Sequence, residues 1–208
     1  MKFISIFWLV FSVFLWGVIH SFTASHRFKA FIRRVFGPVT VDRFFRVAYN
    51  LFAVASFLVV LIIAAFIPDR TLYVVPLPWV ALMIIVEFLA MAALVVGLAQ
   101  TDVKDLLGVR QLTGQKKNQP SRLVRNGLYQ YVRNPLYTAG IVFIWLIPLM
   151  TARLLVLDLA LSVYVVVGAY FKERKLRQKF GQEYVEYAAV TPMFIPFIKR
   201  RHDRMGAQ

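Results

Sequence analysis

Five long apolar runs, at residues 3–19, 47–67, 79–99, 136–150 and 154–171, decide what this chain can fold into. A bilayer offers unpaired backbone N–H and C=O groups no partner, so an apolar stretch of about 20 residues crosses it as a helix, which satisfies those groups internally. At 60% hydrophobic and 17% charged residues, the 208-residue chain carries too little polar surface for an ordinary water-soluble fold. The expected class is all-α: a polytopic membrane bundle of about five transmembrane helices forming one integral domain. The fourth run is short and holds Pro148, so it begins within 129–135, tilts little, or sits where the bilayer thins.

Cation placement sets the orientation. Six Lys and Arg residues lie between the first two runs, seven between the third and fourth, and nine after the fifth; the opposite side holds only Lys2, Arg70 and Arg153. Cytoplasmic loops retain positive charge, so the N-terminus is expected outside and the C-terminus in the cytoplasm. That places the chain in a bacterial-type inner membrane with its polar loops, and hence any active site, facing the cytoplasm. The net charge of +15 suits anionic headgroups rather than nucleic acid, because the cations sit between apolar runs and not on a folded polar face. The first run follows Lys2 like a signal peptide, but it is long for one, and Arg27, Lys29, Arg33 and Arg34 behind it resist export, so it reads as a span. With no cysteine, disulfides, thiolate metal sites and a cysteine nucleophile are excluded, and no metal site is expected.

Organisation follows from these runs. Residues 1–99 form a three-helix part, 100–135 a cytoplasmic connection with turns at Gly108, Gly114, Asn118 and Pro120, and 136–208 a helical hairpin and tail. Between the first two spans, Phe22, Phe28, Phe31, Ile32 and Phe36 alternate with cations as in an interfacial amphipathic helix. The segment 123–137, LVRNGLYQYVRNPLY, turns at Asn126-Gly127 and breaks at Asn134-Pro135. A short outer connection at 151–153 makes the last two spans a hairpin, which returns Tyr137 and Glu173 to one membrane face. Leu176, Phe180, Tyr184 and Tyr187 then repeat along one face of a C-terminal amphipathic helix, with Gly181 as a hinge, and TPMFIPF at 191–197 is too proline-rich for a helix and suits an extended strap.

These residues resemble the isoprenylcysteine carboxyl methyltransferase and phospholipid methyltransferase group of membrane enzymes. The likeness rests on Gly127-Leu128-Tyr129, Arg133-Asn134-Pro135-Leu136-Tyr137, Glu173, the Phe180-Gly181-Tyr184-Tyr187 series and the Pro192 to Pro196 tail. His20-Ser21, Phe28-Lys29 and 107–111 (LGVRQ) are similar to the methanethiol S-methyltransferase and NnrU-like branch. The resemblance implies S-adenosylmethionine bound at the cytoplasmic ends of the last two spans by Gly127, Tyr129, Arg133, Asn134, Pro135, Tyr137, Glu173, Arg174, Tyr184 and Tyr187. Arg133 and Glu173 are the implied catalytic pair, with Arg133 or Arg174 on the cofactor's carboxylate and Glu173 on its amine or ribose. His20 and Arg110 are candidates for the acceptor cavity, and the acceptor is a small thiol or a lipid-like molecule drawn from the bilayer. Two positions depart from the pattern: 134 is Asn where His is common, and the paired acids at the end of the fifth helix are here Lys172-Glu173.

Structural alternatives stand beside each role. Arg133 can be a snorkelling anchor, Tyr129 and Tyr131 members of the interfacial aromatic belt, and Glu173 an ion-pair partner of Arg177 one turn on. Glu87, mid-span, is either functional or bonded to another helix, and Asp158 reads as an interfacial or helix-start residue. In the NnrU-like branch His20, with His26 or a backbone group, would be a haem ligand and the chain a haem-binding membrane protein or isomerase. A scaffold or transporter leaves the Gly127, Arg133, Glu173 and Tyr187 pattern without a purpose.

Overall fold

The computed structural model describes residues 3–114 and 122–196. Lys116, Lys117, Asn118, Pro120 and the basic tail with His202 lie outside the described residues. Among the described residues the chain is helical apart from one two-stranded sheet. Four helices are long and apolar enough to cross a membrane: α1 (Phe3–Thr23), α3 (Pro38–Phe66), α4 (Trp79–Ala99) and α8 (Ala152–Phe180). The expected interfacial segment is α2 (His26–Phe36), which starts where the Ser25 side chain accepts from Phe28 N at 3.1 Å and ends at Gly37, with Pro38 opening α3.

The fourth span differs from its expectation. Helix α7 (Pro135–Trp145) has 11 residues, followed by a strand, β2 (Leu149–Thr151), antiparallel to β1 (Thr71–Val74). Eleven helical residues rise only about 16 Å, short of the roughly 30 Å hydrocarbon core. Pro148 denies the helix an N–H donor, and the extended residues that follow gain about 3.3 Å each. Pairing with β1 and the Val75 N to Pro148 O bond at 2.9 Å give this non-helical backbone the partners a bilayer would not.

The chain divides into two compact units. One comprises Met1–Pro76, Asp102–Pro120 and Pro148–Tyr164. Its core is Leu9, Val13, Val60, Ala64 and Leu157, where α1, α3 and α8 meet. Arg153 closes the end of α3: Nη1 donates to the carbonyls of Ala64 and Ala65 at 3.1 and 3.2 Å, while Nε pairs with Asp69 at 3.3 Å. Asp158 lies in the second turn of α8, buried to 3% exposure with Oδ2 unpaired. Short helices α5 (Val103–Leu107) and α6 (Val109–Leu112) complete this unit.

The second unit comprises Leu77–Thr101, Ser121–Ile147 and Val165–Gln208. Here α4 packs on α7, with Gly97 admitting the Leu136 side chain. A 3-10 turn (Gly127–Gln130) precedes α7, and α9 (Gln182–Val190) follows α8 after Gly181, whose φ of 53° makes the expected break.

Candidate functional site

The second unit gathers most of the residues singled out in sequence. Arg133, just before α7, and Glu173, on α8, form a two-point pair: Nε to Oε1 at 2.6 Å and Nη2 to Oε2 at 3.0 Å. Nη1 of Arg133 donates to the carbonyls of Ala188 (2.8 Å) and Thr191 (2.7 Å), orphan acceptors at the end of α9. Arg133 is 3% exposed and Glu173 8%, so Arg133 is no snorkelling anchor and Glu173 does not turn to Arg177. Four of the five guanidinium N–H groups are spent on the protein itself. The pair expected to face the cofactor's carboxylate and amine thus satisfies each other and ties α7, α8 and α9 together.

The residues after α9 are non-helical, as their prolines require, but they run through bends at 193–195 and a turn at Pro196 and not as an extended strap. Arg133 N donates to Pro192 O (2.9 Å), Asn134 N to Met193 O (3.2 Å) and Thr138 Oγ1 to Phe194 O (2.9 Å). Asn134 is buried, and its Oδ1 accepts from Lys172 Nζ at 3.0 Å; that ammonium also lies 5.0 Å from the centre of the Tyr137 ring. The two departures from the family pattern are therefore bonded to one another, forming a second rung beside the Arg133–Glu173 pair. Lys172 was visible in sequence only as a departure; nothing in the spacing reveals its partner.

Tyrosines close the cluster. Tyr184 and Tyr187 pack edge to face, ring centres 6.0 Å apart, against Leu123, Leu176 and Phe180, so the predicted apolar face survives the break at Gly181. The Tyr187 hydroxyl donates to Tyr129 O at 2.5 Å. Burial, with Tyr184 as the next cause, raises the Tyr187 phenol above its usual range. Tyr184 is buried beside Glu173, and burial first, then that carboxylate, push its phenol up to about 12, yet its hydroxyl makes no well-formed hydrogen bond. Gly127 has φ +61°, and a Cβ there would collide with the Gln100 side chain, whose Oε1 accepts from Leu128 N at 3.0 Å. Gln100 escaped the sequence reading; an amide directly after the α4 helix is its only signal. Pro135 opens α7, and Arg174 is exposed.

His20 and Arg110 belong to the other unit. His20 Nε2 shares a 2.8 Å bond with the Tyr49 hydroxyl, its ring packs on Trp16, and its Nδ1 is buried without a partner. Axial ligation through Nε2 would break the Tyr49 bond. Arg110 bridges to Asp102 at 3.1 Å. A cavity of about 360 Å³ in this unit is lined by Ser25, His26, Lys29, Asp42, Tyr49 and Gln111 among others. Among the described residues no cluster of three or more His, Asp or Glu could hold a metal.

A family model for phospholipid methyltransferases matches residues 80–183, half of the chain. The chain belongs to the phospholipid methyltransferase family. Similar proteins include a methanethiol S-methyltransferase of Crocosphaera subtropica, 34% identical over 47% of this chain and 39% of the relative. Methanethiol S-methyltransferase 1 of Bradyrhizobium diazoefficiens is 36% identical over 45% of this chain and 34% of its own. Protein-S-isoprenylcysteine O-methyltransferase B of Arabidopsis thaliana is 33% identical over 40% and 44%. The matched part thus spans less than half the length of each of these relatives. No solved structure matches. As a phospholipid methyltransferase family member with four spanning-length apolar helices, the chain is an integral membrane protein. Such a family implies a methyl donor, and the cluster fits a polar, aromatic one: Tyr184 carries a buried hydroxyl lacking a firm partner, and Tyr137 presents a half-buried ring beside a cation.

Proposed function

We propose that this chain is a membrane methyltransferase that binds S-adenosylmethionine at the cytoplasmic ends of α7 and α8 and methylates a small thiol or a lipid-like acceptor. The observation that carries the reading is the buried Arg133–Glu173 pair, which gathers the start of α7, the end of α8, α9 and the residues after it around one aromatic cluster. The family match and the named relatives support the reaction class, and the 22-to-3 division of cations supports a cytoplasmic face on an inner membrane.

Bound donor would supply a methyl group on a positively charged sulfur, a leaving group that becomes neutral on transfer. Little bond chemistry is then left to the protein, whose task is alignment and exclusion of water. In this reading Arg133 and Glu173 are positioning residues, since their charges are spent on each other. Tyr137, Tyr184 and Tyr187 supply the aromatic wall, and the buried Tyr184 hydroxyl beside Glu173 has no firm partner and would turn to the nucleoside. α9 and the residues after it shield the site from bulk water. A thiol acceptor reacts as thiolate, which a local cation favours.

The test is calorimetric binding of S-adenosylhomocysteine to the detergent-solubilised chain, then transfer from labelled donor to a panel of thiols, prenylated peptides and phospholipids. Saturable binding and labelling of one acceptor class are expected; no binding at millimolar ligand would end the proposal.

A further inference from the structure

The charged groups of the cluster are not equally available to a ligand. Arg133 has one N–H left, and Glu173 has both oxygens on Arg133. Lys172 differs. Its ammonium carries three N–H donors, and among the described residues it spends one on Asn134 Oδ1 and rests on the face of Tyr137. Asn134 cannot swing away, being 2% exposed with its backbone N–H on Met193 O, so it holds the ammonium in one direction. Lys172 itself is only partly buried, so a ligand can reach it. A half-buried cation with spare donors, aimed by a fixed amide and seated on an aromatic ring, suits an anion.

We infer that Lys172, aimed by Asn134, receives the carboxylate of the methyl donor's amino-acid end, an assignment that rests on the methyltransferase reading above. A carboxylate placed between this ammonium and the donor's cationic sulfur is attracted by both, which fixes the amino-acid end in one orientation. Arg133 serves only to hold the tail, and exposed Arg174 is not needed.

The experiment is calorimetry on the full chain in detergent with two probes, S-adenosylhomocysteine and its decarboxylated form. A charge-assisted hydrogen bond to the carboxylate should make wild type prefer the first probe by roughly 10- to 100-fold. K172Q should bring the two affinities to near equality, and K172R should restore most of the preference. A variant that merely loosened the fold would weaken both probes alike and leave their ratio intact, so an unchanged ratio in K172Q overturns the assignment while the enzyme reading stands. Wild type that binds neither probe would overturn both.

Discussion

Replacing Arg133 with Met removes one member of a pair whose side chains are 1% and 11% exposed, leaving the Glu173 carboxylate without its partner beside Tyr184. It also strips the Ala188 and Thr191 carbonyls of their donor. Breaking a buried pair from one side costs about 3–5 kcal/mol. At about 1.4 kcal/mol per tenfold, exchange of the amides that open with α9 should accelerate roughly 100- to 4,000-fold. Hydrogen–deuterium exchange by mass spectrometry reads this directly at Arg133 and Asn134, whose N–H groups bond Pro192 O and Met193 O, and along α9. The β1–β2 amides in the other unit serve as the unchanged control. The double variant Arg133→Met/Glu173→Leu should exchange more slowly than Arg133→Met alone, because no uncompensated charge remains. Slow exchange of α9 in the single variant, or a double variant worse than both singles, would refute the idea that this pair fastens the tail.

Tyr187→Phe deletes the bond to Tyr129 O and should lower stability by about 0.5–1.5 kcal/mol in thermal unfolding, whereas Tyr184→Phe should leave stability nearly unchanged and weaken S-adenosylhomocysteine binding; equal thermal shifts would contradict the contrast. Gly127→Ala meets both a left-handed backbone and the Gln100 amide and should cost about 1–3 kcal/mol, read as a lower unfolding midpoint. Burial alone would raise the Asp69 carboxyl, but hydrogen bonds from Thr151, Arg153 and Arg70 and the Arg153 charge hold it below its ordinary value. Its stabilisation is therefore complete above about pH 4 and is lost as pH falls further, so Arg70 and Arg153 amide exchange should quicken in acid; an identical profile in Asp69→Asn would argue against it. Because the chain has no native cysteine, single cysteines at Arg70 and Arg125 can be labelled from either side, and they should react from opposite faces of the membrane.

Much of the site was legible because its elements carry local signals. Asn126-Gly127, Asn134-Pro135, Gly181 and the prolines at 192 and 196 each restrict the backbone where they stand, and the structure turns or breaks at each of them. Leu176, Phe180, Tyr184 and Tyr187 follow a helical period, and that period survived the glycine break. Partners were not legible. Glu173 had a local candidate in Arg177 and a distant one in Arg133, 40 positions away, and spacing favours neither. The fourth run begins at Pro135, one of the options its sequence allowed, but an apolar run containing Pro148 cannot say that its end pairs as a strand.

Sequence by itself determined that this chain lives in a bilayer, because the count of apolar residues per run is a length requirement that tertiary contacts cannot change. It also determined where the backbone bends, since proline and glycine act through their own dihedral angles. Only the tertiary structure decided which charges are used up and which remain for a ligand. A guanidinium 40 residues from a carboxylate becomes its partner only when the bend before α7 and the helix α8 set them 2.6 Å apart, and burial then makes that pairing compulsory.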